Sequence, residues 1–452
     1  MHADPAAVAL PREPIHAVTT PLARFLHIET ASGIVLLIAT AAALALANSP
    51  YAPAYRTFWD TPVVLTIGAV HLSHTMQEWI NDGVMVIFFF VIGLEVKREL
   101  VLGELRDVRR ATLPLAAALG GMLAPAGIYL ALQHGQPGER GWGIPMATDI
   151  AFVVGCMALL GPRVPHGLRI MLLSLAIADD IGAILVIAVG YTADLHFDAL
   201  GVGLGLMAAV AACARLGVRS ILVYSVLGFA VWLAFLKSGV HATIAGVILG
   251  LLTPSRRYLG TETVDQFLER ARQLFQGDWD NQAHRAMHVR KLQWAMREAI
   301  SPLEYLEQTM HPWVGFAIMP LFALANAGVP VQVGALGAPI SVAVILGLML
   351  GKPLGIVLFS WLAVRCNLAK LPTGVDWRVM VGAGCLAGIG FTMALFIADL
   401  ALDDEQLVTA KIGILAGSTV SAALGLGLLL LTLPKPPTGG ATVRAADPTV
   451  IS

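Results

Sequence analysis

Charge is what this chain has least of. Only 13% of its 452 residues are Asp, Glu, Lys or Arg, while 57% are hydrophobic. A charged share about half that of a typical soluble protein excludes an ordinary water-soluble domain. The formal net charge of −1 supplies no basic surface, and we expect no nucleic-acid partner. The mean hydropathy of +0.75 indicates an integral membrane protein.

Cysteine is scarce as well, with four residues in the whole chain. No two of them form a Cys-x-x-Cys pair, and all lie in or beside apolar runs: Cys156, Cys213, Cys366 and Cys385. This pattern indicates small buried hydrophobic side chains, and not metal ligands or a disulfide framework. We therefore expect no cofactor.

Long apolar runs, in contrast, are abundant. A helix that crosses a bilayer needs about 20 mostly apolar residues. The chain offers twelve candidate spans: 29–49, 76–98, 111–133, 143–160, 167–190, 198–215, 220–236, 239–253, 308–327, 341–364, 379–401 and 409–433. The runs are too continuous for the alternating strands of a barrel, so the predicted fold class is an all-α membrane protein of about 12 transmembrane helices.

The basic residues predict the orientation of these spans. If the N-terminus is cytoplasmic, few of the 29 Lys and Arg fall on the outer side; those that do are Arg56, Arg140, Lys237 and Lys411. Cytoplasmic loops carry an excess of Lys and Arg, so we expect both termini in the cytoplasm. The predicted organisation is a tail 1–24, helices 1–8 in 25–253, an insert 254–301, helices 9–12 in 302–433 and a disordered tail 434–452.

The insert 254–301 is the one sizeable predicted soluble portion. Apolar side chains recur in it at helical spacing from Val264 to Phe275, and a basic stretch follows from His284 to Arg297. This pattern favours amphipathic helices on the cytoplasmic face beside anionic lipid. A plain solvated linker is the alternative. Ser301 and Pro302, with Glu304 three residues after the serine, predict the start of the next helix.

Asp179 and Asp180 stand side by side inside the apolar run 170–189. A carboxylate at the bilayer centre costs about 2.5–3.5 kcal/mol on the insertion scale, and such residues usually mark ion pathways. Neighbouring helix positions differ by about 100°, so the two side chains point in different directions. Lys352 lies midway along 341–364, so one carboxylate can pair with it while the other is left for a cation. A purely structural polar cluster is the alternative.

Two of the predicted spans are interrupted in similar ways. Segment 143–160 carries Thr148 and Asp149 near a Gly and a Pro, and segment 379–401 is rich in glycine around Thr392. Paired interruptions indicate an inverted-topology repeat whose two broken helices cross at the site, with groups of three spans in about 111–190 and 341–433. Glycines that merely permit close helix packing are the alternative. Asp149 could ligate a cation directly or compensate the helix-end dipoles, and the sequence leaves both open.

A group of titratable residues lies at the inner end of the second span. Glu95, Arg98 and Glu99 are neighbours at helical spacing, and Glu307 and His311 begin the span after the insert. Such a network could respond to pH, although helix-end charges are often only solvated anchors. His241 is a further pH-response candidate and is more often a satisfied polar group than a switch.

Seven stretches together resemble the NhaA family of Na⁺/H⁺ antiporters. They are FFFVIGLEVKREL, GWGIPMATDIAFVVG, LAIADDIGAI, SGVHATIAGVI, HPWVGFAIMPLFALANAGV, GKPLGI and AGIGFTMALFIA, within about 25–433. The resemblance implies twelve helices with two crossing broken ones, in the cell inner membrane. It implies electrogenic exchange of cytoplasmic Na⁺ or Li⁺ for external H⁺.

The resemblance also implies roles for single residues. Asp180 is the leading Na⁺ ligand with Asp179, and Lys352 pairs with Asp179. Asp149 and Thr148 match the acid of the broken helix and its neighbour, and the Glu95 group matches an entrance network associated with pH activation. Three features depart from the family pattern as we expect it: the long insert, Gln308 after Glu307, and an acid at Asp399.

We therefore predict a secondary transporter, not an enzyme, in which Na⁺ and H⁺ compete for the two aspartates by alternating access. A homodimer is left open. The alternatives are a proton-coupled transporter of an organic solute, a passive channel and an intramembrane aspartyl protease. The protease needs its acids on different helices, and the usual GxGD sequence is not seen.

Overall fold

The computed structural model describes residues 29–67, 70–192, 195–218, 220–257 and 298–434, with a few positions between 263 and 293. The predicted tail 1–24 and nearly all of the tail 434–452 lie outside the described residues, as does most of the insert 254–301. Helix dominates the rest, because in an apolar environment each backbone polar group must find a partner within its own segment.

The first half of the bundle contains nine helices in the described residues. They are α1 (Glu29–Ala47), α2 (Ala52–Trp59), α3 (Met76–Val101), α4 (Val108–Gln133), α5 (Ile150–Leu160), α6 (His166–Gly190), α7 (Phe197–Arg215), α8 (Ile221–Ser238) and α9 (Thr243–Leu252). A 3₁₀ segment, Pro137–Met146, precedes α5.

The second half begins at the predicted helix start. Ser301 and Glu304 form a reciprocal capping box, with Pro302 at the first helical position, so this prediction is confirmed. Helix α10 runs through Pro302–Trp313, a π-helical stretch Val314–Ile318 and Met319–Asn326. It is followed by α11 (Pro339–Arg365), α12 (Trp377–Ala387), α13 (Phe391–Ala401) and α14 (Asp404–Thr432).

Every one of the twelve predicted spans contains helix. Within the described residues, seven helices are long and apolar enough to cross a membrane, and up to ten spans result if each bent helix pair is counted as one. Helix α9 is shorter. The all-α membrane class is thus confirmed, while the number twelve stays a prediction.

Both predicted interruptions are present. The 3₁₀ segment and the helix after it meet at 42°, and α12 and α13 meet at 48°. The first break falls at residues 147–149 and the second at 388–390. Helix α13 passes through the middle of the bundle, because its residues 391–398 are all buried.

The sequence analysis assigned no element to residues 50–75, and the structure has a β-hairpin there. Strand β1 (Pro62–Ile67) pairs antiparallel with β2 (Val70–Thr75), from Pro62 opposite Thr75 to Ile67 opposite Val70. Thr75 and Glu78 then form a capping box that starts α3. We call this end of the bundle the hairpin end and the opposite end of α3 the Arg98 end.

Candidate ion-binding site

The two adjacent aspartates lie near the middle of α6 and are almost fully buried, with exposures of 1% for Asp179 and 3% for Asp180. Asp179 Oδ2 accepts a hydrogen bond from Lys352 Nζ at 2.7 Å. The lysine is 0% exposed. A direct ion pair therefore joins α6 to α11 in the interior, where an unpaired charge of either sign would be costly.

Lys352 has a second partner at the first helix break. Its ammonium also donates to the carbonyl oxygen of Met146, the last residue of the 3₁₀ segment. The carbonyl end of a helix carries partial negative charge, so a cation is favoured there. The lysine follows a π-helical stretch, Gly347–Gly351.

Asp149 binds the amino ends of both helices that leave the breaks. It is the N-cap of α5, where Oδ1 accepts the backbone N–H of Phe152 at 3.3 Å. Its other oxygen accepts the backbone N–H of Thr392 at 3.0 Å and also the Thr392 hydroxyl. Because Thr392 lies in the first turn of α13, one carboxylate compensates two helix N-termini. This geometry favours the dipole interpretation of Asp149 over direct ligation.

The two breaks are also joined through their backbones. The Asp149 N–H donates to Ile389 O at 2.7 Å. The Thr148 hydroxyl donates to Ala387 O at 2.8 Å. Thr148 is 1% exposed, so its hydroxyl is used within the protein. These contacts place both interruptions in one layer with the aspartates and the lysine.

Carboxylate oxygens remain without partners in this layer. Asp179 Oδ1 is buried and accepts no hydrogen bond in the described part of the chain. Among those same residues, Asp180 makes no hydrogen bond or ion pair, and its electrostatic neighbours are Asp179, Glu95, Asp149 and Lys352. Hard carboxylate oxygens suit a small hard cation or a proton. The arrangement can therefore hold one positive charge beside the ion pair.

The Glu95 group is assembled at the Arg98 end. Arg98 forms an ion pair with Glu307, and its other terminal nitrogen lies 3.7 Å from Glu99 Oε1. His311 Nε2 lies 3.8 Å from Glu95 Oε1. Five predicted pH-response residues therefore form one cluster between α3 and α10, as their spacing suggested.

His241 lies elsewhere. Its Nδ1 is 2.7 Å from the Thr243 hydroxyl, and its Nε2 is 3.5 Å from Asp82 Oδ1. Asp82 belongs to the opening turns of α3, near the hairpin end. His241 is thus separate from the other pH-response candidates.

Sequence reasoning missed two partners of this site. The Met146 carbonyl carried no signal, because backbone groups are uniform along a sequence. Thr392 was visible only as a polar residue at the second interruption, and its bond to Asp149 spans 243 positions. A polar residue at each break was the signal that could have linked them.

Comparison with known proteins agrees with this geometry. A profile described as Na⁺/H⁺ antiporter 1 matches residues 23–429. The chain belongs to this family. The matched region contains every residue of the site described above.

Similar proteins from three bacteria carry the corresponding name. A Rhodopirellula baltica protein called Na(+)/H(+) antiporter NhaA is 54% identical over 428 residues, which cover 94% of this chain and 97% of that protein. The Rhizobium meliloti protein of the same name is 53% identical, with coverages of 94% and 98%. An Acidiphilium cryptum protein, called NhaA 2, is 51% identical, with coverages of 94% and 95%. Family membership confirms the resemblance seen in the sequence.

Proposed function

We propose that this protein is a secondary transporter that exports Na⁺ or Li⁺ in exchange for external H⁺, electrogenically and under control of pH. Membership of the antiporter family and the names of the relatives support the exchange of these ions. The observation that carries the residue assignment is the buried Asp180 carboxylate, which has no partner among the described residues.

Competition for these oxygens explains coupling. When Asp180 and the free oxygen of Asp179 are ionised, they take a dehydrated Na⁺, because the cation offsets the cost of two buried carboxylates. When they are protonated, that attraction is gone and the cation leaves. Since one set of oxygens cannot hold both cargoes, each direction of movement carries a different ion.

Lys352 keeps the site stable between cargoes. With Na⁺ absent, its ammonium neutralises Asp179 at 2.7 Å. When a cation binds both aspartates, the ammonium remains on the Met146 carbonyl, which also accepts from it. This second partner lets the lysine release Asp179 without losing every favourable contact.

Alternating access follows if the two breaks belong to crossing helices of an inverted repeat. The mutual contacts of the breaks, Asp149 to Ile389 and Thr148 to Ala387, support that arrangement. Half-helices meeting at mid-depth can tilt as units, opening the aspartates to one side at a time. In this proposal all twelve predicted spans cross the cell inner membrane and both termini are cytoplasmic.

The pH control is assigned to the cluster of Glu95, Arg98, Glu99, Glu307 and His311. Glu95 acts electrostatically on Asp180, so a change of charge in the cluster alters how strongly the aspartates hold a cation. The same electrostatic link makes the cluster a candidate entrance for ions from the cytoplasm.

The decisive experiment uses the full chain in everted vesicles with a fluorescent pH dye. Addition of NaCl or LiCl should discharge a preformed pH gradient in the wild type, and addition of choline chloride should not. Asp180→Asn should abolish the response while the protein still elutes as one folded species. Asp198→Asn, an exposed acid at the start of α7, is the matched control and should keep the response. Robust Na⁺-dependent proton movement by Asp180→Asn refutes the assignment.

A further inference from the structure

A second polar group lies near the hairpin end and has no part in the proposed exchange. Asn81 Nδ2 of α3 donates to Asp399 Oδ2 of α13 at 2.7 Å. Asn326 Nδ2 of α10 donates to Asn81 Oδ1 at 2.8 Å, and Gln77 Nε2 donates to Asn326 Oδ1 at 3.0 Å. We call Asn81, Asn326, Asp399 and the nearby Lys411 the Asp399 cluster.

Lys411 is the unusual member of this cluster. It lies two turns into α14 and is 6% exposed. Its ammonium makes no hydrogen bond or ion pair with any residue that the structure describes, although it interacts electrostatically with Asp399 and Asp404. A buried ammonium without direct contacts is costly. Its position is understandable only if the nearby carboxylate compensates it from a distance.

Asp399 has coordination capacity to spare. One of its oxygens accepts from Asn81, and the other accepts no hydrogen bond within the described ranges. Glu78, Asp82 and Asp404 interact electrostatically with it as well, so the local field is negative. The amide oxygens of Asn81 and Asn326 lie in the same hydrogen-bonded group. Carboxylate and amide oxygens are the ligands that hard cations prefer.

The cluster is connected to the central site through one helix face. Thr392, which binds Asp149, and Asp399 are seven positions apart on α13, which is two turns and roughly 10 Å. Phe396 lies between them and packs against Phe89 and Phe322, with ring centroids 5.2 and 6.1 Å away. An aromatic layer therefore separates two polar layers that face the same way.

We propose that Asp399, with amide oxygens of Asn81 and Asn326, is a second binding station for Na⁺ or Li⁺, and that Lys411 is a tethered cation competing for it. The cargo identity rests on the proposed function. An ion leaving the central aspartates toward the hairpin end meets Asp399 next. While no ion is there, Lys411 neutralises the carboxylate; while an ion is there, the ammonium is repelled.

A purely structural network is the rival interpretation, and the two make opposite predictions for Lys411. If the cluster only joins helices, removing either charge lowers stability and leaves cation binding unchanged. If Lys411 competes with the ion, then removing Lys411 strengthens cation binding and removing Asp399 abolishes it. The sign of the Lys411 effect therefore separates the interpretations.

The test measures binding in the full-length protein with the central site disabled. Purified Asp180→Asn protein is titrated with NaCl against choline chloride of equal concentration, and the carboxylate bands are followed by difference infrared spectroscopy. We expect a saturable NaCl-dependent band that disappears when Asp399→Asn is added. Adding Lys411→Gln should lower the half-saturating NaCl concentration by about tenfold, within the usual range of coupling between two sites. Adding Asp198→Asn should change neither.

Two results would overturn the station. One is a NaCl response that is unchanged by Asp399→Asn; the other is a half-saturating concentration that Lys411→Gln leaves the same or raises. The Lys411→Gln arm keeps Asp399 intact, so it remains informative if Asp399→Asn does not fold. The measurement needs no transport, so a wild type without antiport activity would refute the proposed function alone.

Discussion

Lys352 and Asp149 hold opposite ends of the same helix break. The lysine binds the carbonyl of Met146 at the end of the 3₁₀ segment, and the aspartate caps the helix that begins three residues later. A break inside a membrane exposes partial charges of both signs, and each is met here by a full charge of opposite sign. The ion-binding layer is thus built on helix ends that are already neutralised.

Removing the buried lysine should destabilise the protein strongly. Lys352→Met leaves Asp179 ionised and unpaired in the interior, and breaking such a pair typically costs about 3–5 kcal/mol. Adding Asp179→Asn should restore most of the loss, because no charge is then left uncompensated. Thermal unfolding in detergent measures both effects. Lys370→Met, at an exposed lysine, is the control and should be neutral. Equal stability of Lys352→Met and wild type would contradict the pairing.

Thr392→Val tests the contact between the two breaks. The substitution removes the hydroxyl that donates to Asp149 and keeps the backbone N–H that also donates. A hydrogen bond lost from a buried charged group costs on the order of 1–3 kcal/mol, so we expect lower thermal stability. Thr419→Val is the matched control, since that exposed threonine donates only to Leu415 O of its own helix. If both variants unfold at the same temperature, the contact contributes nothing measurable.

The parts of this structure that were predictable are those fixed by local chemistry. The long apolar runs had to be helices, and the breaks were marked by Gly, Pro and a polar residue. The start of α10 at Ser301 followed from capping chemistry. Pairing of a buried acid with Lys352 followed from the cost of isolated charges. Each of these inferences needs only one segment or one energetic rule.

The remaining features depend on which distant segments meet. Asn81 and Asp399 are 318 positions apart, and Lys352 and Met146 are 206 apart. Nothing in either local sequence selects the partner. The hairpin at residues 62–75 was missed for a different reason, because the search was directed at helical spans. Val63 and Val64 favour strand locally, and that signal was available.

Close packing of α4 on α11 should depend on a pair of facing glycines. A Cβ added to Gly120 would lie 2.1 Å from Gly355 O, closer than real side chains approach. Gly120→Ala should therefore cost about 1–3 kcal/mol through overpacking. Gly127→Ala lies on the same helix with nothing within 4 Å of the added carbon, so it should be neutral or slightly stabilising. A thermal-stability comparison that ranks the two alanines the other way would refute this helix contact.

The cluster at the Arg98 end should set the pH range of transport. Glu307→Gln removes a negative charge from Arg98 and leaves Glu99 as the remaining acidic partner. The more positive cluster weakens proton binding at nearby carboxylates, so the pH of half-maximal antiport should move downward. Glu304→Gln is the matched control, because it changes an acid one turn away and Gln can still serve in the Ser301 capping box. The measurement is Na⁺-dependent dye response in everted vesicles across pH. Coincident profiles for Glu307→Gln and Glu304→Gln would remove the cluster from pH control, and an upward shift for Glu307→Gln would reverse its assigned electrostatic role.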